Sequence, residues 1–210
     1  MEGGAEVLLS TAYFPPIDYV SRIYRARTAY VEQWDNFQKQ TFRSRCRILA
    51  ADGPVDLVLP VQRFEKNHKT LIMDTKVDYS VPWVLKHERA FEAAYNSSAY
   101  FPYFREALFS ILDSKPEFLL DLNMKILEKL LELSRIQCDL RLTSDFTAES
   151  PAGVQDMRKF ISPKNPSWKE ECMKKEKAYF QVFSSRFSFV PCLSFIDILS
   201  NEGADCIGKL

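Results

Sequence analysis

EVLLSTAYFPPIDYVSRIYRARTAYVE, residues 6 to 32, decides the fold class of this chain. The apolar run Val7 to Leu9 reads as a buried strand that stops at Tyr13-Phe14-Pro15-Pro16, because the paired prolines cannot continue a ladder. Ile17, Val20, Ile23 and Tyr24 then recur at helical spacing, with Pro16 suited to the first turn. A second candidate strand lies around Tyr30 to Gln33. A strand followed by a helix is a βα unit.

The rest of the chain continues the pattern. VDLVLPV, residues 55–61, reads as a strand after the turn ADGP, and TLIMDTKVD, residues 70–78, as another. A helix is expected from near Ser80, with Pro82 in its first turn. EFLLDLNMKILEKLLELSRI carries Leu119, Leu122, Ile126, Leu130 and Leu133 three or four apart between charged residues, the signature of a core helix. CDLRLTSDF follows as a strand whose end bears Thr143, Ser144 and Asp145. From about 147 to 177 the proline, the charges and the lack of periodicity predict an exposed irregular excursion. AYFQVF reads as a last strand, and residues 191–210 as a helix broken near Asn201 to Gly203. The expectation is a single α/β domain over 1–210, with a mostly parallel sheet flanked by helices and room for antiparallel pairs between about 30 and 78.

Lys+Arg and Asp+Glu both number 28, so no chain-wide field draws nucleic acid or an anionic membrane, and any anion site must be local. Six glycines are too few for a Gly-rich phosphate cradle, and no P-loop, G-x-G-x-x-G or G-x-S-x-G occurs. The five cysteines, Cys46, Cys138, Cys172, Cys192 and Cys206, include no C-x-x-C pair, and the two histidines, His68 and His87, stand apart. This spacing predicts neither a disulfide framework nor a metal site. No stretch approaches the roughly 18 apolar residues of a membrane span, and the N-terminus lacks the basic start of a secretory signal, so a reducing cytoplasm is expected. The composition names no cofactor and no oligomeric state.

QKQTFRSRCRI, residues 38–48, gathers Lys39, Arg43, Arg45 and Arg47. Extended, it puts Arg43, Arg45 and Arg47 on one face; helical, it aligns Lys39, Arg43 and Arg47. Either arrangement suits phosphate or carboxylate, and either can equally be a solvated edge. His87 lies beside an apolar stripe, between Val84 and Phe91, and is open to two readings: a structural hydrogen-bonder, or a proton-transfer group with a pKa near neutrality. His68, in EKNHKT, reads as exposed loop. The Tyr-Phe-Pro corners at AYFPP and SAYFPYF could wall a pocket or simply turn the chain.

These pieces, in this order, resemble the WbqC-like family of bacterial proteins, several of which are encoded among genes for O-antigen and other surface polysaccharides. The opening LLSTAYFPPIDYVSRIYRARTAYVEQWDNFQKQTFRSRCRI is similar to the family's start, ending in the Arg45-Cys46-Arg47-Ile48 pattern. VDYSVPWVLKHERAFEAAYNSSAYF and RFSFVPCLSFIDILSNEG resemble later blocks, with Asp78, Trp83, His87, Tyr100 and Phe101 at matching positions. The resemblance spans most of the chain except about 147 to 177. Ser44 and Cys46 stand in a run that longer relatives fill with Asn, no GPSG-like segment follows the strand near 140, and Pro191-Cys192 replaces a Pro-Asn, which marks a shortened branch.

The resemblance implies a transferase in polysaccharide decoration, with aminoacyl (glycine) transfer suggested; a non-catalytic binding or assembly module in surface-glycan synthesis is the alternative. On this reading Lys39, Arg43, Arg45 and Arg47 hold the phosphate or carboxylate of a nucleotide-linked or aminoacyl donor. His87 is the general base, Asp78 orients it, and Tyr13, Phe14 and Trp83 wall the pocket at the C-terminal ends of the strands. A nucleotidyl-transferase-like, Rossmann-like sheet is the fold analogy that follows.

Overall fold

β1 (Glu6–Ser10) and β2 (Thr28–Glu32) pair in parallel from Glu6 with Thr28 to Ser10 with Glu32, and α1 (Ile17–Arg25) carries the chain between them. The expected βα unit is present in the computed structural model, which describes residues 5–62 and 70–210, and β2 completes it as a parallel βαβ unit. His68 lies outside the described residues. On α1 Ile17, Val20 and Ile23 are buried as the spacing requires, but Tyr24 is exposed and Tyr19 is buried in its place.

A turn of 3-10 helix at Phe42–Ser44 leads into β3 (Arg45–Ala50), which pairs antiparallel with β4 (Gly53–Val58). Three helices follow, α2 (Trp83–Tyr95), α3 (Phe101–Asp113) and α4 (Leu119–Leu133). The chain then returns to the parallel sheet with β5 (Asp139–Leu142) beside β2 and β6 (Val154–Asp156) beside β1, giving the order β5-β2-β1-β6. α5 (Pro166–Lys175) and α6 (Phe195–Glu202) complete it, followed by a 3-10 segment over Gly203–Lys209. The architecture is α/β, a four-stranded parallel sheet flanked by helices. The central strands are buried on both faces, Val7, Leu9, Ala29 and Val31 on one and Leu8, Thr28 and Glu32 on the other, as a covered parallel sheet requires.

Three expectations differ from what is observed. Residues 70–78 form no strand: Leu71 and Val77 make isolated bridges to Asn36 and Val61, and the Thr75 hydroxyl bonds the Leu71 carbonyl, closing a local turn that competes with a ladder. AYFQVF forms none either, because the Gln181 side chain takes the place of a partner strand, donating to the Val190 carbonyl and accepting from the Val190 N–H at 2.9 Å each. The stretch 147–177 is not wholly irregular. It supplies β6 and α5, and Asn165 caps α5 by accepting the Ser167 N–H at 3.0 Å, ahead of Pro166 in the first turn.

α3 went unforeseen. Its Phe101, Phe104, Leu108 and Leu112 are buried at helical spacing, but its start lies in a Tyr-Phe-Pro run that reads as a turn. The break near Asn201 to Gly203 is found where expected: Gly203 caps α6 at φ 61°, and a Cβ there would stand 2.7 Å from the Tyr100 ring. Among the described residues no helix is long and apolar enough to cross a membrane.

Candidate functional site

The chain leaves β1 toward β2 on one side, while β6 pairs on the other, so strand order reverses about β1. Reversals of this kind leave a crevice beyond the carboxyl ends of the strands. A cavity of about 230 Å³ lies there, lined by Ser10, Thr11, Tyr19, Asp35, Arg43 and Arg158 among others. At roughly 30 Å³ per water it has room for seven or eight waters, which suits a small anion or one end of a longer ligand.

Arg43 is built into this cavity from three sides. The 3-10 turn that carries it is tied to the end of β1 by the Tyr13 N–H donating to the Phe42 carbonyl at 2.8 Å. Leu59 N–H donates to the Ser44 carbonyl at 2.9 Å, and the α4 side chain Asn123 donates to the Arg43 carbonyl at 2.9 Å. Arg43 Nη2 donates to Ser10 Oγ at 3.0 Å and to the Asp35 carboxylate. Both of these bonds leave from Nη2, and among the described residues none is found for its Nε–H and Nη1–H groups. Burial lowers the Arg43 pKa and the Arg158 charge adds to that, while Asp35 opposes both. A bound anion would relieve the same strain.

Two hydroxyls complete the anion-binding character. Thr11 Oγ1 and Tyr19 Oη are buried without a hydrogen-bond partner, and both residues line the cavity. A buried hydroxyl left unpaired costs about 1–3 kcal/mol, which a ligand oxygen would offset. Burial raises the Tyr19 pKa, so this phenol is a donor.

Arg158 plays a different part. Its Nη1 donates to Glu32 at 2.9 Å and to the Thr147 carbonyl at 2.8 Å, its Nη2 to Asp156 at 2.6 Å, and its Nε to Asp156 at 3.0 Å. The guanidinium is saturated, and it rivets the ends of β2 and β6 to the loop at 147–148. Glu32 itself is sealed, accepting also from the Thr143 hydroxyl at 2.9 Å and the Trp34 N–H at 2.8 Å.

The sequence-derived candidates divide among several places. Arg43 lines the cavity, and Lys39 does not, although Gln38 and Thr41 on either side of it do. Arg45 and Arg47 project from the outer face of the hairpin, where both pair with Asp56, at 3.6 and 2.8 Å. Cys46 and Ile48 alternate inward, so extended geometry holds from Arg45 onward, and the 3-10 turn before it aims Arg43 elsewhere. Tyr13, Phe14, Trp83 and His87 do come together, but as a closed aromatic cluster in the core: His87 lies 5.7 Å from Tyr13 and 5.1 Å from Trp83, ring to ring. Asp78 accepts the Ser80 N–H at 2.9 Å and does not line the cavity. Sequence reading missed Ser10, Thr11, Tyr19, Asp35 and Arg158, and only the polar ends of β1 and β2 signalled any of them.

The His87 Nδ1 and Tyr13 hydroxyl stand 2.9 Å apart, and burial pushes the imidazole pKa down to about 4. In the unfolded chain it titrates near its ordinary 6.5, so the unfolded state binds more protons between those values and stability falls as pH drops from about 6.5 to about 4. The difference corresponds to roughly 3 kcal/mol. His87→Gln is expected to flatten that acid limb in urea melts taken across pH 4 to 7; an unchanged limb would show that the imidazole is not the titrating group.

The WbqC-like protein family model matches residues 11–162. The chain belongs to the WbqC-like family. No curated protein and no solved structure matches it. The family span runs through Thr11, Tyr19, Asp35, Arg43 and Arg158, so it holds most of the cavity lining, including the first part of the 147–177 stretch where no resemblance was expected. In this WbqC-like chain, residues 163–210 lie beyond the matched span.

Proposed function

We propose that the protein is a transferase of bacterial surface polysaccharide (O-antigen) biosynthesis that holds the phosphate or carboxylate of a nucleotide-linked or aminoacyl donor in this cavity. Aminoacyl, notably glycyl, transfer is the reaction its WbqC-like membership suggests. The observation that carries the reading is the Arg43 guanidinium, with Nε–H and Nη1–H uncommitted beside the unpaired Thr11 and Tyr19 hydroxyls at the strand ends. Asp35, the one carboxylate on the lining among the described residues, holds Arg43 and supplies a proton acceptor. The crevice position resembles the nucleotide sites of Rossmann-like transferases, and reduced thiols and such donors both belong to the cytoplasm.

A thermal-shift screen against nucleotides, nucleotide sugars and amino acids tests it. A true ligand at 100 times its Kd adds about 2.7 kcal/mol, a rise in Tm of roughly 5–10 °C for a chain of this size. Tyr19→Phe and Thr11→Val are expected to shrink the shift. A screen with no hit among these classes counts against the proposal.

A binding module is the second reading, favoured by one observation: the His87 imidazole is enclosed in the core and, among the described residues, no histidine or cysteine lines the cavity. Tight donor binding with no turnover in the presence of acceptor glycans would select it.

A further inference from the structure

Beyond the family span, α5 and the loop entering α6 bring together three side chains that are separated in sequence by as much as twenty positions. Cys172 and Glu176 are four apart and share one side of α5 at its C-terminal end. Cys192 joins them from a left-handed backbone position, φ 62°, which costs a non-glycine residue about 1–3 kcal/mol. The two Sγ atoms and a Glu176 carboxylate oxygen all lie within 4.8 Å of one another. Glu176 Oε2 accepts the Cys192 N–H at 3.0 Å and the Cys172 thiol at 3.2 Å. Its other oxygen, Oε1, is buried with no partner.

We propose that Cys172, Glu176 and Cys192 form a binding site for a divalent metal of the zinc class. Two sulfurs and one oxygen exclude Mg²⁺ and Ca²⁺, which require oxygen shells, and suit a borderline-soft cation. In a tetrahedral zinc complex with bonds of about 2.3 Å, two thiolates stand about 3.8 Å apart. The observed spread therefore closes onto a metal with movements of an ångström or less. The orphaned Oε1 offers a second oxygen to the cation.

A fourth ligand is at hand from two directions. The Lys169 carbonyl lies 3.9 Å from Cys192 Sγ, and an adjoining cavity of about 120 Å³, lined by Cys172 and Glu176, has room for water. On binding, both thiols give their protons to solvent. Two thiolates and a carboxylate around a dication leave one negative charge, which Arg25, Lys177 and Lys209 on the cavity wall offset, Arg22 and Lys175 being paired there with Asp18 and Glu171. Cys172, Glu176 and Cys192 follow no recognised ligand spacing along the chain; folding makes the cluster. A bound metal would clamp α5 to the entry of α6.

The test uses the full chain, stripped with chelator under reducing conditions and titrated with zinc chloride and, separately, with cobalt chloride. One equivalent of each is expected to bind, with near-ultraviolet thiolate-to-cobalt bands. Cys192→Asn is the decisive variant, because Asn tolerates the left-handed backbone while removing the sulfur. It is expected to keep the metal-free Tm and lose the bands, and Glu176→Gln to weaken zinc binding at least tenfold. Absence of thiolate bands in the reduced protein, or their persistence in Cys192→Asn, overturns the site. So does a purified chain whose Cys172 and Cys192 form a disulfide under reducing handling and take up no metal.

Discussion

Arg158→Ala is expected to lower the unfolding free energy by roughly 3–5 kcal/mol, the cost of breaking a buried ion pair by removing one partner. The Glu32 carboxylate is fully enclosed and Arg158 nearly so, with side-chain exposures of 0% and 7%. Without the guanidinium, Glu32 keeps only the Thr143 hydroxyl and the Trp34 N–H. Asp156, 30% exposed, rehydrates more easily, so the damage concentrates at Glu32. Burial pushes the Asp156 carboxyl up, but the Arg158 hydrogen bonds outweigh it and hold the carboxyl below its ordinary value. Urea unfolding gives the measurement, and the Tm should fall by roughly 10 °C or more. Arg158→Lys should recover little, because an ammonium cannot reproduce the fork that reaches Glu32, Asp156 and two carbonyls together. Arg158→Met combined with Glu32→Gln should recover much of the loss, since it removes both charges. A loss below 1 kcal/mol in Arg158→Ala would mean that the rivet contributes nothing.

Those elements whose pattern is local were readable in the chain. Val7 to Leu9, the prolines and the Ile17, Val20, Ile23 stripe specify strand, corner and helix without help from distant residues. The leucines of α4 do the same. β6 was hidden because it is three residues long and paired only on one side, too short to show a period. α3 was hidden because Pro102, which punctuates a turn, equally starts a helix. The arginines show the same limit at the level of the site. Alternation predicts that Arg43, Arg45 and Arg47 share a face, and from Arg45 onward the strand obeys it. A three-residue turn at Phe42–Ser44 resets the phase, so Arg43 enters the cavity while its neighbours pair with Asp56 outside. Arg158 and Tyr19 carry no motif; they become functional candidates only when β6 and α1 lie against the end of β1.

Arg43→Lys is expected to weaken anion binding roughly 10- to 100-fold while Arg45→Ala and Arg47→Ala leave it within twofold. The contrast follows from how each guanidinium is held. Arg43 anchors Nη2 on Ser10 and Asp35, and the hydrogens left on Nε and Nη1 diverge on opposite sides of the guanidinium, so one of them gives a single charge-assisted hydrogen bond to a phosphate or carboxylate. Such a bond contributes about 1.5–3 kcal/mol, and a lysine, which retains the charge but not the anchored donor, loses about that much. At about 1.4 kcal/mol per decade that is one to two orders of magnitude in Kd. Arg45 and Arg47 share Asp56 on the outer face of the hairpin, and their removal takes away only partly exposed pairs worth about 0–1 kcal/mol. Inorganic phosphate is the probe, titrated into each variant and followed by the shift in Tm. Asp35→Asn separates charge from position, because it leaves Arg43 an acceptor but not a counter-ion, so phosphate should bind more tightly than in the parent chain if Asp35 competes for the guanidinium. Equal weakening by Arg43→Lys and Arg45→Ala would move the anion site from the strand ends to the hairpin and remove the basis for the proposed donor pocket.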